Sequence, residues 1–501
     1  MNLFLVVLTV SVLGIGCSPI PSTSGNRTPS GHEANSSGQG LREVLLELQD
    51  QLATPVETHQ QCFTGAESYY QKLFTLSSES AHLLKYNAGD IEEMIQATFK
   101  SKLIMREYLK NLDFTQSFSD KCYHSVRALL RALRYAEDYL IELNAMYDNI
   151  SDAKKYITLT GKAPYFMINP SFTFRDYNDL QSGDVILSRG NAYTSAAIAR
   201  IGEDDAQFSH VSFVYKDPQG KLWTTEAHIE IGSVIAPIAT HIEQANARTV
   251  VFRFQDQNIA HKAAEYMFKL VQKQFLAGKN IPYDFGMDYK NSSELFCSEI
   301  VSKGFMDIGK IDVPLYKTKF TEGLIPFLQQ LGIRVNEGNV QDFETFAPGD
   351  LEVDTRFSVV AEWRNPLKMK QSRMKDAILT KMFEWMEKLN YQFHATGKIS
   401  TQVYMGWVLR RMPFFKKKLK EKFPLNMKPA QLKLFMTLEK VGELIETELM
   451  REDKKSSQPL SLKQLFTVIE ELRVRDLATY KKHKRKALFH RYFYPRPVKN
   501  K

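Results

Sequence analysis

One turn constrains this chain more than any other segment. Phe208-Ser209-His210-Val211-Ser212-Phe213-Val214-Tyr215 alternates, with Val211, Phe213 and Tyr215 on one face and His210, Ser212 and Val214 on the other. Asp217-Pro218-Gln219-Gly220 then reads as a type I turn closed by a Gly in the left-handed region, and residues 221–229 return as a second strand. Pairing Asp217 with Lys221 sets the remaining partners. Ser212 stands across from Glu226, and His210 is diagonal to Glu226 on the same face. A register one residue different puts the two on opposite faces. An imidazole held by a carboxylate on the neighbouring strand has its tautomer set and its protonated form stabilised, as a general base requires. His228, directly opposite His210, is a rival partner.

A nucleophile is found downstream. In Glu294-Leu295-Phe296-Cys297-Ser298-Glu299-Ile300-Val301 the apolar residues Ile300, Val301 and Phe305 form the face of a helix, and Asn291, Ser292 and Ser293 are candidate caps. Cys297 therefore falls near a helix N-terminus, where the helix dipole and free N–H groups stabilise a thiolate and an oxyanion. The bland alternatives are a satisfied structural His and a buried inert Cys.

Several segments together resemble a known family. Leu180-Gln181-Ser182-Gly183-Asp184-Val185-Ile186-Leu187, Phe208-Ser209-His210-Val211, Thr225-Glu226-Ala227, Tyr283-Asp284-Phe285 and Phe296-Cys297-Ser298-Glu299-Ile300-Val301 are similar to the circularly permuted papain-like cysteine hydrolases. These are the YiiX/YaeF-like branch of the NlpC-type enzymes, in which the His strand precedes the Cys helix. The resemblance covers about two-fifths of the chain. It implies an α+β fold, an antiparallel sheet packed on helices, with Cys297 as nucleophile, His210 as base and Glu226 as third polar residue. The implied reaction is acyl transfer through a thioester, on cell-wall peptide amides or on lipid acyl bonds.

The flanks read as helices. Leu41, Val44, Leu45, Leu48 and Leu52 recur at helical spacing, as do Val126, Leu129, Leu130, Leu133, Ala136 and Leu140. The pattern is helical again beyond Pro366. The expected organisation is a signal peptide over 1–17, a flexible linker over 18–40, a helical region over 41–165, the hydrolase domain over 166–365 and a basic helical region over 366–501. Residues 3–15 are an apolar run too short to span a bilayer, ending in Leu13-Gly14-Ile15-Gly16-Cys17. This resembles a bacterial lipoprotein signal with Cys17 as lipidation site; ordinary secretion is the alternative. The chain is thus expected to be exported and anchored on the periplasmic or outer-membrane side. In an oxidising compartment Cys62 and Cys122 can pair, which leaves Cys297 free.

Charge is unevenly distributed. Residues 366–501 carry 32 Lys/Arg and 13 Asp/Glu, a net of +19, and the rest of the chain carries a net of −10. Phe414-Phe415-Lys416-Lys417-Lys418-Leu419-Lys420-Glu421-Lys422-Phe423 and the block Lys481 to Lys486, followed by Phe489, Tyr492, Phe493 and Tyr494, suit an anionic membrane surface. An anionic envelope polymer would suit them as well, and a solvated helical face or docking onto the acidic remainder of the chain are the alternatives. Nucleic acid is an unsuitable partner for an exported enzyme. No Cys-x-x-Cys pair, phosphate-binding Gly-rich loop or His-Glu-x-x-His is present, so no metal or organic cofactor is expected. The leading function is thiol-dependent cleavage of an amide in a cell-envelope peptide. A lipid acyl hydrolase or acyltransferase and a non-catalytic envelope scaffold are the alternatives.

Overall fold

The hairpin forms in the expected register. In the computed structural model Phe213 pairs with Thr225, Val214 with Thr224, Tyr215 with Trp223 and Lys216 with Leu222. Asp217 N–H donates to the Lys221 carbonyl, and Gly220 closes the turn at a φ of 80°. The structure describes residues 40–53, 58, 72–73, 86–110, 120–148 and 156–496, apart from 206, 243–245, 289–292 and most of 413–425. Cys17, Cys62, the expected signal peptide and linker, and most of the basic run after Phe414 lie outside the described residues. Cys122 is disulfide-bonded and Cys297 is free.

Seven strands make one sheet. They are β1 (Phe166–Ile168), β2 (Val185–Gly190), β3 (His210–Lys216), β4 (Leu222–His228), β5 (Gly232–Pro237), β6 (Asn246–Phe254) and β7 (Phe357–Arg364). Their order is β1-β7-β6-β2-β3-β4-β5, and every pairing is antiparallel. The alternation along β3 divides the core. Val211, Phe213 and Tyr215 pack with the helices Gln257–Leu276 and Cys297–Gly309, Phe213 lying 5.8 Å from Phe305 and Tyr215 4.7 Å from Phe268. Val214 joins Ile186, Val251, Val360 and Trp363 on the other side. The α+β class is therefore observed. Strand β5 had no sequence signal beyond Val234 and Ile235. It is an edge strand that begins at Gly232, whose φ is 78°, and ends at Pro237.

The helical flanks belong to the same unit, Gly40–Lys501. On the N-terminal side Leu41–Leu52, Ala88–Lys110 and Asp120–Tyr147 join the core that lies under β2 and β3. On the C-terminal side Pro366–Leu389, Pro429–Asp453 and Leu462–Lys482 form a second core. A buried ionic chain links the three parts. Lys102 pairs with Glu137 at 2.7 Å and with Glu362 of β7, and Arg364 pairs with Glu137 and Asp138 at 2.7 and 3.3 Å. Arg248 joins Asp138 to Asp376 of the C-terminal part, where Arg189 and Arg200 also converge at 2.7 and 3.0 Å.

The C-terminal aromatics are core rather than surface. Phe489 and Phe493 are fully buried, and Phe489 stacks on Trp385 at 5.9 Å. Lys481 to Lys486 are exposed. The basic block is thus a cationic surface without the two largest apolar anchors expected of it. Among the described residues, no helix is long and apolar enough to cross a membrane.

The helix Pro429–Asp453 is docked through Gly442. A Cβ at Gly442 would lie 2.4 Å from the Tyr193 ring, and the Tyr193 hydroxyl donates to Glu446 of the same helix. Gly442→Ala is expected to lower stability by about 1–3 kcal/mol through overpacking, despite the better helix propensity of Ala. A denaturant melt checks this; an unchanged midpoint would mean that the helix shifts freely on its neighbour.

Candidate active site

Three elements bring the expected residues together. His210 opens β3, Glu226 lies near the end of β4, and Cys297 is the first residue of its helix. The diagonal contact is made: His210 Nε2 lies 2.8 Å from Glu226 Oε2. His210 also acts on the Cys297 thiol, with the Val211 N–H acting on it in the same direction, and Cys297 Sγ lies 3.9 Å from Ser298 Oγ. Cys297 is 5% exposed, and the His210 side chain retains 17% of its surface.

The helix start differs from expectation in its cap. Phe296 is the N-cap residue, and its N–H donates to Glu299 Oε2 at 2.8 Å, so Glu299 closes the first turn from inside. Ser293 lies before this turn and does not cap it, while Asn291 and Ser292 are outside the described residues. Cys297 consequently sits at the first helical position, where the N–H groups have no intrahelical partner.

The rivalry between His210 and His228 is settled by sharing. Glu226 Oε2 also meets His228 Nε2 at 3.0 Å, and Glu226 Oε1 meets His241 Nδ1 at 3.2 Å and the Thr224 hydroxyl at 2.6 Å. His241 is fully buried and was not singled out from the sequence, because nothing local ties residue 241 to residue 226. These contacts use the acceptor capacity of Glu226. His210, Glu226 and His228 also offer three ligand atoms within 4.8 Å of one another, a set with the chemistry to hold a divalent cation.

The electrostatics follow from burial opposed by pairing. Burial disfavours a charged His210, yet its interactions with Cys297 and Glu226 push it up to about 10. Burial disfavours a Cys297 thiolate as well, but His210 outweighs it and holds the thiol below its ordinary value. Glu226 is buried too, and the charge of His241 with the hydrogen bonds from His210, His228 and His241 holds it well below the carboxylate range. The arrangement favours a thiolate and an imidazolium facing each other, backed by a carboxylate.

Glu299 goes the other way. Burial raises it to about 9, with Asp284 and Asp288 adding to the effect. The folded chain therefore holds one more proton here than the unfolded chain between about 4.5 and about 9, so stability falls as pH rises through that window. Glu299→Gln, which can still accept from Phe296, is expected to remove this slope. Thermal melts should show its advantage over wild type growing from acid to mildly alkaline pH; parallel curves would contradict a neutral Glu299.

The site opens into a cleft of about 680 Å³. Ser188, His210, His228, Asn246, Tyr283 and Cys297 lie on its central-domain side. Phe435, Met436, Glu439 and Glu443 come from the helix Pro429–Asp453. This C-terminal wall had no sequence signal, since its spacing reads as an ordinary helix.

Comparison with known proteins bears on the central segment. Residues 179–351 match the family described as "Permuted papain-like amidase enzyme, YaeF/YiiX, C92 family". The crystal structure of the metalloprotein yiiX from Escherichia coli O157:H7 is similar at 19% identity, covering 36% of this chain and 96% of that one, with a TM-score of 0.28. No curated protein matches the chain. Residues 179–351 are thus similar to the permuted papain-like YaeF/YiiX family, and lie here between two helical regions.

Proposed function

We propose that this protein is a thiol-dependent hydrolase that cleaves an amide bond in a cell-envelope peptide, with Cys297 as nucleophile, His210 as base and Glu226 as the residue that orients His210. The observation that carries this reading is the convergence of Cys297, His210 and Glu226, with His210 bonded to Glu226, the thiol held low and the imidazole held high. The thiolate adds to the amide carbonyl, and the N–H groups at the helix start stabilise the oxyanion. His210 then donates its proton to the leaving amine, and the C–N bond breaks to leave a thioester on Cys297. Water, deprotonated by His210, attacks the thioester and releases the carboxylic acid and the thiolate. The similarity of residues 179–351 to that family supports the amidase class.

The same reading has the chain exported and anchored through lipidated Cys17. The apolar run of residues 3–15 and the disulfide at Cys122 support that placement. The exposed lysines between residues 481 and 486 would then face anionic lipid. A lipid acyl hydrolase is the second reading, favoured by the apolar side chains Leu432, Phe435 and Met436 in the cleft.

Acid-quenched reactions with envelope peptides and with phospholipid vesicles test both. A peptide-derived acyl mass on Cys297, absent in Cys297→Ser, is expected. An acyl mass from lipid alone would favour the second reading, and no adduct with either would exclude covalent thiol catalysis on both substrates.

A further inference from the structure

The wall that Pro429–Asp453 contributes to the cleft is acidic, although the region it belongs to carries a net of +19. Glu439 and Glu443 line the cleft from this helix, and Glu230 lines it from the central domain. Lys440, the basic residue among them, is tied to Glu443 at 3.3 Å. Glu439 Oε1 accepts from both the N–H and the hydroxyl of Thr194, at 3.2 and 3.1 Å. Its Oε2 makes no hydrogen bond or ion pair among the described residues. Burial raises the Glu439 carboxyl above its ordinary value and Glu443 adds to this, while the Thr194 hydrogen bonds and the charge of Lys375 oppose it.

A second observation concerns neutral groups in the same cleft. Ser188 and Asn246 are 1% and 3% exposed, and both line it. Ser188 Oγ and Asn246 Nδ2 are buried with no hydrogen-bond partner among the described residues. Ser188 lies directly across from His210 in the β2–β3 ladder, so it shares the face of the base. Buried polar atoms left unpaired are costly, and each calls for a partner such as an ordered water or a ligand group.

We propose that the substrate is a peptide amide bearing a free primary ammonium, bound with that ammonium against Glu439 and Glu443 and with its backbone polar groups against Ser188 and Asn246. This rests on the thiol-hydrolase reading above and narrows its substrate. Phe435 and Met436 pack against the methylene stem that carries the ammonium. The helical region is then the specificity wall of the enzyme. A purely acyl lipid lacks the donor that Glu439 requires.

The test uses Cys297 as its own probe, in the full chain. Labelling rates are measured with cationic 2-aminoethyl, neutral methyl and anionic 2-sulfonatoethyl methanethiosulfonate. Adducts are read at Cys297 by peptide mass, and each rate is divided by that of the same reagent with free 2-mercaptoethanol. The cationic reagent is expected to exceed the anionic one by about tenfold or more after this correction, the scale on which a charged cleft concentrates a ligand. Glu439→Gln with Glu443→Gln should cut that ratio at least about fivefold by removing both carboxylates. Glu443→Gln alone, at an exposed position, should cut it in part and guards against a misfolded double variant.

A corrected ratio near one in the wild type, or a ratio that the double variant leaves unchanged, overturns the proposal. Absence of Cys297 labelling by all three reagents is a different failure, that of the hydrolase reading itself. The source of the ammonium is read from protection against the neutral reagent. Slowing by an N-acetylated lysine amide assigns a side chain, and slowing by its Nε-acetylated isomer with a free α-amine assigns a chain terminus. Neither doing so at millimolar concentration overturns the proposal.

Discussion

Iodoacetamide should alkylate Cys297 rapidly at pH 6 in the wild type, and His210→Ala should abolish that fast phase. An unpaired thiol titrates near 8.5, so at pH 6 it holds well under about one per cent thiolate. Here the thiol is held low despite burial because the imidazolium of His210 faces it. In His210→Ala the burial remains and the partner is gone, so the thiol should move above its ordinary value. Catalysis should fall by about 10²–10⁴ from loss of the base, while Cys297→Ser removes the thioester route.

Rate against pH should rise as Cys297 ionises and fall as His210 loses its proton toward about 10. The stability linkage has two signs. His210 is raised from 6.5, so its contribution is complete below that value and is lost as pH climbs through about 10. Cys297 is lowered from 9.0, so its contribution is present above that value and is lost as pH falls through its folded value. Equal labelling at pH 6 in wild type and His210→Ala would refute the ion pair.

The second large effect is expected in the buried charge cluster around Asp376. Asp376→Asn should destabilise the fold by about 3–5 kcal/mol, because removing one partner of a buried charge cluster leaves the others uncompensated. Arg189, Arg200 and Arg248 all reach this carboxylate, and together they hold it well below the ordinary range despite its burial. Arg248 keeps Asp138 and Arg200 keeps Asp205, but Arg189 keeps only the carbonyls of Gly190 and Ala192. Against a total stability of about 5–15 kcal/mol, such a loss is a large fraction of the whole. Urea melts of the full chain measure it, and a change below about 1 kcal/mol would show that the three arginines are satisfied without Asp376. The prediction also couples stability to the site. Arg189 lies on β2 one residue beyond Ser188, and Asp376 belongs to the helix that opens the C-terminal region. Loosening that joint should slow turnover before global unfolding.

Two features of the site were legible because they are local. The turn at Asp217–Gly220 sets the register of a hairpin, and strict alternation then carries Glu226 to the face of His210. The apolar spacing of Ile300, Val301 and Phe305 puts Cys297 at a helix start without reference to the rest of the chain. The cap was misread because short polar residues nearby outweighed Glu299, whose role depends on burial that no local pattern reveals. His241 escaped notice for a related reason: its bond to Glu226 closes a loop through β5, an edge strand with a weak signal of its own.

The helical flanks divide differently. Their existence was written in the periodicity of residues such as Leu45, Leu48 and Leu133, and their charge could be counted. Where they dock could not be read. The net of +19 read as a cationic module, yet Asp376 and Glu439, two of its acidic residues, contact Arg189 and Thr194 of the central part. Sequence by itself determined the hairpin that sets His210 beside Glu226 and the helix that begins at Cys297, because these rest on backbone preferences acting over a few residues. Only the tertiary structure decided that a C-terminal helix walls the cleft and that buried charges bind the flanks to the sheet. Those outcomes depend on which surfaces fit, as Gly442 fits Tyr193, and on pairings between residues more than a hundred positions apart.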